Sequence, residues 1–169
     1  TVNMDGIPTI INDICHILFF LFSLLYSLFY FEYALGLIMP VSKRKNRIMA
    51  AGYVISIICV IIMLVSPIEY IQGQNTRYSA GIGPTLCYAL GFLLFIAADV
   101  IMIVNHKHIN CGIIMVLIPL SFITLGLLTV QIIFPEFLYT AQALTITALG
   151  LFFAIENPVE KFKDRAFID

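Results

Sequence analysis

Residues 111–133 read CGIIMVLIPLSFITLGLLTVQII, 23 positions without an Asp, Glu, Lys or Arg. Crossing about 30 Å of hydrocarbon takes roughly 20 apolar residues in a helix, because only a helix or a closed barrel satisfies its own backbone hydrogen bonds there. Four more stretches have the same character: residues 10–39, 48–66, 85–104 and 137–155. The only acidic, basic or imidazole side chains in all five are Asp13, His16, Glu32 and Asp99. A barrel would show short alternating segments, and none are present. The expected fold is therefore all-α, an integral membrane bundle of five transmembrane helices.

Composition agrees. The 169 residues are 61% hydrophobic and 11% charged, with a mean hydropathy of +1.02, whereas soluble domains run near 45–50% apolar and about 25% charged. This excess needs lipid as its solvent and excludes a secreted disulfide scaffold, a disordered tail and an ordinary soluble enzyme. A net charge of −1 exerts no global pull on nucleic acid. The four cysteines, Cys15, Cys59, Cys87 and Cys111, are scattered singly, so they read as small apolar helix residues.

The separators carry the topology. Lys43, Arg44, Lys45 and Arg47 fall between the first two spans, Lys107 between the third and fourth, and Lys161, Lys163 and Arg165 after the fifth; only Arg77 falls on the other side. Lys and Arg stay on the cytoplasmic side of short loops, which places the start outside and the tail in the cytoplasm of a plasma (inner) membrane. The chain opens on Thr1 without a signal peptide and reads as a piece of a longer protein. The segment 67–84, with Gly73, Gly81 and Gly83, reads as an outer connection, and Gly81-Ile-Gly83 as a turn with no strand before it. Pro119 falls in mid-span and predicts a kink in the fourth helix. The first span, roughly 45 Å long as a helix, exceeds the hydrocarbon and protrudes at its polar outer end, Asn12, Asp13 and His16.

An intramembrane carboxylate costs several kcal/mol unless it is protonated, paired or hydrated, so Glu32 and Asp99 are candidate functional residues. Both lie near the cytoplasmic ends of their helices. Two readings stand: the pair shares a proton in one layer, or each bonds to a Tyr or Ser of a neighbouring helix or reaches the interface. Phe19, Phe22, Tyr26, Phe29 and Tyr33 follow a 3,4,3,4 spacing and form one stripe, suited to helix packing or to a pocket for an apolar ligand. Ser121, Thr124, Thr129, Gln131, Gln142, Thr145 and Thr147 supply interhelical hydroxyls and amides. His106, His108 and Cys111 have metal-ligating chemistry but no fourth partner and read as a solvated loop. No nucleotide, zinc-protease or nucleophile motif is present, so no catalytic residue, cofactor or metal is assigned within the segment. Glu32, Asp99, Tyr26, Tyr33, His16 and Gln142 are the candidates for binding a small ligand or sensing a proton, in a cavity near the first, third and fifth helices.

The tail begins a new helix: Asn157 caps it, Pro158 takes its first position and Glu160 closes a capping box. Val159, Phe162 and Ala166 then repeat at three and four, the seed of a coiled-coil seam through which two copies would pair. The run LTITALGLFFAIENP, residues 144–158, resembles the last transmembrane helix and I-x-N-P exit of clostridial-type membrane proteins whose cytoplasmic part is a GGDEF domain. The final Ala166-Phe-Ile-Asp169 is similar to the A-x-x-D that precedes such domains, and Asp13 to Phe20 resembles the front of the same membrane region. This resemblance implies a parent diguanylate cyclase whose catalytic residues all lie beyond Asp169. Residues 1–157 would then form a membrane sensor and dimerising bundle, and residues 158–169 the start of a cytoplasmic signalling helix. Rival readings are the membrane half of a sensor histidine kinase, a small proton-linked transporter using Glu32 and Asp99, and a plain structural anchor.

Overall fold

The structure, a computed structural model, describes residues 9–39, 42–72, 77–109, 111–134 and 139–156. Five α-helices follow one another: α1 (Thr9–Ile38), α2 (Lys43–Val65), α3 (Ile82–Val104), α4 (Cys111–Ile133) and α5 (Thr140–Glu156). A hairpin of β1 (Glu69–Gln72) and β2 (Arg77–Ala80) separates α2 from α3, and a single 3-10 turn, His106–His108, separates α3 from α4. The bundle thus has a hairpin end, and at the other extreme a basic end where the Lys-rich connections gather. The signalling-exit residues Asn157, Pro158, Val159, Phe162 and Ala166 lie outside the described residues.

Four helices are long and apolar enough to cross a membrane: α2, α3 and α4 over their full length and α1 from Asp13 to Ile38. The fifth is apolar but shorter. Its 17 residues extend about 25 Å, less than the roughly 30 Å of the hydrocarbon core.

α1 and α3 pack along one another as the central pair, α2 leans on both, and α4 joins α3 while pairing closely with α5. The core they enclose is built on Phe20, Leu24, Leu28 and Leu35 of α1 with Phe95, Ala98 and Met102 of α3. Outside it the usual order is reversed. α2 buries only Met49, Ser56, Cys59 and Met63 and turns Val54, Ile55, Ile58, Ile61 and Leu64 outward. α4 likewise buries Ser121, Thr124 and Gln131 while exposing Phe122, Ile123 and Ile132. Small and polar residues inside with branched aliphatics outside is the arrangement lipid favours, since apolar surface gains nothing by leaving it.

Local choices agree with that setting. Ser42 caps α2 by accepting from Lys45 N at 3.2 Å, yet the next residues are Lys43, Arg44 and Lys45, cations at the end where a helix dipole disfavours them. α4 runs unbroken from Cys111 to Ile133 with Pro119 inside it. Gly150 of α5 sits against Leu120, whose Cδ1 would lie 1.8 Å from an added Cβ, so α4 and α5 approach closely there.

The outer connection differs from its sequence reading. Residues 69–72 and 77–80 pair antiparallel in the register Glu69↔Ala80, Tyr70↔Ser79, Ile71↔Tyr78 and Gln72↔Arg77. Gly81 ends the hairpin at φ +119, in the left-handed region, and any Cβ there would sit 3.2 Å from the Pro67 carbonyl oxygen. Its own carbonyl starts α3, accepting from Thr85 N at 3.2 Å and from Thr85 Oγ1 at 2.8 Å.

Candidate functional site

A cavity of about 570 Å³ opens at the hairpin end. α1 supplies His16, Phe19 and Phe20; β2 supplies Tyr78 to Ala80; α3 supplies Pro84, Thr85, Tyr88 and Ala89; Gln131 and Ile132 end α4, and Ala141 begins α5. The lining is mostly apolar with a few polar groups, the usual make-up of a small-molecule site, and its volume falls in the range such sites occupy.

Each wall is held by its own contacts. His16 is buried and meets the Tyr70 ring edge-on, centroids 5.4 Å apart. The Tyr70 hydroxyl in turn donates to the Asp13 carboxylate, one turn earlier on α1. The hairpin is therefore tied to the first helix through β1 and runs directly into α3 through β2. Phe20 and Tyr88 pack edge to face across α1 and α3, with centroids 5.3 Å apart and planes at 88°.

Gln131 is the pivot of the opposite wall. Its Nε2 donates to the Tyr88 hydroxyl at 2.9 Å, and its Oε1 accepts from Thr140 N at 2.6 Å and from the Thr140 hydroxyl. One buried carboxamide thus joins α3, the end of α4 and the first residue of α5. Farther along the α4–α5 contact the Thr124 and Thr147 hydroxyls bond to each other.

The two carboxylates lie elsewhere. Asp99, 4% exposed, is five residues from the basic end of α3. It accepts from Ser121 Oγ of α4 at 2.6 Å and from the Tyr30 hydroxyl of α1 at 3.4 Å, with the Tyr30 ring stacked on Phe95 at 4.7 Å. Glu32 faces the other way and accepts from the Tyr53 hydroxyl of α2 at 2.8 Å. No hydrogen bond joins the two carboxylates among the described residues, so the reading in which each takes a hydroxyl from a neighbouring helix holds, and the shared proton does not.

The aromatic stripe of α1 divides. Phe22 and Phe29 are 64% and 57% exposed, toward lipid, while Phe19, Tyr26 and Tyr33 are partly buried. The true inward stripe is Phe20, Leu24, Ser27, Leu28, Tyr30, Phe31, Ala34 and Leu35, and Phe22 and Phe29 lie on the opposite side of α1. The Tyr26 hydroxyl is buried without a hydrogen-bond partner, and its ring leans on Phe95 at 6.3 Å. Tyr26, Tyr33 and the exposed Gln142 do not line the cavity, and of the six candidate residues only His16 does. His106, His108 and Cys111 are exposed, and among the described residues no three His, Cys, Asp or Glu side chains group as a metal site.

Sequence reasoning missed Tyr70, Tyr78 and Tyr88. The signal was available in part, since two tyrosines in a connection otherwise rich in Gly and Pro are out of keeping with a plain linker. Compared with known proteins, the chain matches no family model, no curated relative and no solved structure.

Proposed function

We propose that this chain is the membrane-embedded sensory module of a bacterial signalling protein, and that a small, largely apolar ligand in the hairpin-end cavity is its input. One observation carries the reading: the cavity wall includes Gln131 and Ala141, so its contents bear on the first turn of α5, the helix that leads to the exit motif at Asn157 and Pro158. Tyr88, whose hydroxyl accepts from Gln131 Nε2, lines the same cavity and links its contents to that bracket.

A ligand moves such a bundle only through different affinity for two arrangements. Carrying the balance from 1:99 to 99:1 needs about 5.5 kcal/mol of that difference. Helix shifts of an ångström or two are the usual currency of such transitions, and the Gln131 bracket is placed to pass them to α5. The positive-inside pattern supports a hairpin end outside the plasma membrane and an exit helix in the cytoplasm, where it would pair two copies.

The resemblance of residues 144–158 to the exit of GGDEF proteins makes a diguanylate cyclase the favoured output. Proton-linked transport through Glu32 and Asp99 gains nothing from the geometry, because each carboxylate is held by hydroxyls of a different neighbour. The test is to lengthen residues 157–169 one residue at a time in the parent protein and measure cyclic di-GMP. Output that rises and falls with helical phase is expected; output indifferent to phase refutes the reading, and autophosphorylation in its place identifies a kinase.

A further inference from the structure

Between α2 and α3, the Cys87 sulfur meets two others. Cys59 Sγ lies 3.7 Å from Cys87 Sγ, and Cys87 Sγ lies 3.5 Å from Met63 Sδ. Met63 is one helical turn on from Cys59, so both project from the same face of α2. All three side chains are buried in the core. The contact is possible because Gly83 stands opposite Met63: a Cβ at that position would be 3.0 Å from Met63 Cα. The backbones of α2 and α3 therefore close on each other at the place where the sulfurs gather. Cys87 is five residues into α3, about 8 Å from its hairpin-end start.

The spacing discriminates between uses of such a group. A disulfide needs sulfurs about 2.05 Å apart, so Cys59 and Cys87 would have to close by about 1.6 Å against packed helices. Three sulfurs in a plane around one metal at a bond length of about 2.3 Å stand about 4.0 Å from each other. The two pairs in contact here, Cys59–Cys87 and Cys87–Met63, would have to open by only about 0.3 to 0.5 Å. Thiolate and thioether together form a soft donor set, which selects Cu(I); Zn(II) would want four ligands in a tetrahedron, and the Cys59 and Cys87 thiols meet only sulfur among the described residues.

We propose that Cys59, Cys87 and Met63 form a three-coordinate site for Cu(I) near the hairpin end of the bundle. This departs from the expectation that the segment holds no metal, and it does not depend on the sensory reading. On binding, both thiol S–H bonds give way to S–Cu bonds, the two protons leave to water, Met63 donates a sulfur lone pair and the copper stays monovalent. Two thiolates on Cu(I) leave the site with one net negative charge. The metal would join α2 to α3.

The test uses the full chain in lipid nanodiscs, with the exposed Cys15 and Cys111 changed to Ala so that they do not compete. The protein is titrated anaerobically with Cu(I) against a coloured Cu(I) chelator, and the loaded protein is examined by X-ray absorption. One Cu(I) per chain with three sulfur neighbours is expected. Changing a group that only orients a metal's ligands costs 10–100-fold in affinity, so loss of a direct thiolate in Cys87→Ala should weaken binding by more than about a hundredfold. Met63→Leu, which keeps the volume and the fold, should weaken it about tenfold and leave two sulfurs. Absence of Cu(I) binding, nitrogen or oxygen neighbours only, equal binding of Zn(II), or unchanged affinity in Met63→Leu and in Cys59→Ala/Cys87→Ala would each overturn the proposal.

Discussion

Replacing Asp99 by Leu removes the acceptor of two hydroxyl bonds from the middle of the bundle. Hydrogen bonds between membrane helices average about 0.6 kcal/mol and reach about 1.7. The Ser121 bond at 2.6 Å belongs near the upper value and the Tyr30 bond at 3.4 Å near the lower. Asp99→Leu should then cost about 2 kcal/mol, with both hydroxyls left unsatisfied in a place water does not reach. Asp99→Asn retains one carbonyl acceptor and sheds the burden of a buried carboxylate, so its cost should stay under about 1 kcal/mol. The chain has no Trp, so the measurement is loss of helical circular dichroism as dodecyl sulfate is added to neutral micelles. The expected order of stability is wild type, Asp99→Asn, Asp99→Leu. A double-mutant cycle with Ser121→Ala isolates the pair. No coupling between positions 99 and 121, or an Asp99→Leu protein as stable as wild type, refutes the account of what Asp99 does.

Four further outcomes follow from the packing and capping. Gly126→Ala, where an added Cβ meets nothing within 4 Å, should stabilise α4 by up to about 1 kcal/mol in the same titration, whereas Gly83→Ala should destabilise because its Cβ meets the Met63 backbone. Gln131→Leu should cost about 1 to 3 kcal/mol and speed amide exchange at Thr140, its direct partner, more than at Leu94 in the middle of α3. Ser42→Ala removes the α2 cap and should cost about 1 kcal/mol, read by the same dichroism.

The helices were legible because hydropathy is a property of long windows. The quoted stretch at 111–133 coincides with α4, and the other expected spans differ from α1, α2, α3 and α5 by a few residues at their ends. α2 starts five residues earlier than its apolar run, because a Ser cap and a basic first turn extend a helix beyond the hydrocarbon. Four-residue strands carry too little alternation to separate from a linker, which is why the hairpin did not show. The pairing of Asp99 with Ser121 and of Glu32 with Tyr53 was within reach as one of two readings. Choosing between them required knowing how each helix is rotated about its axis. The same rotation moved Phe22 and Phe29 out to lipid: a 3,4 spacing of rings identifies a face, not the neighbour it meets. Gln131 was legible as an interhelical amide, but its place beside Tyr88 in the cavity wall was not, because that cavity is made by four separate segments of the chain.

The Gln131 carboxamide grips the first residue of α5 by both its amide and its hydroxyl, so the separation of the two helix ends there is set by a side chain. Exchange of this one glutamine would loosen the whole corner at once, because the same carboxamide also holds the Tyr88 hydroxyl of α3.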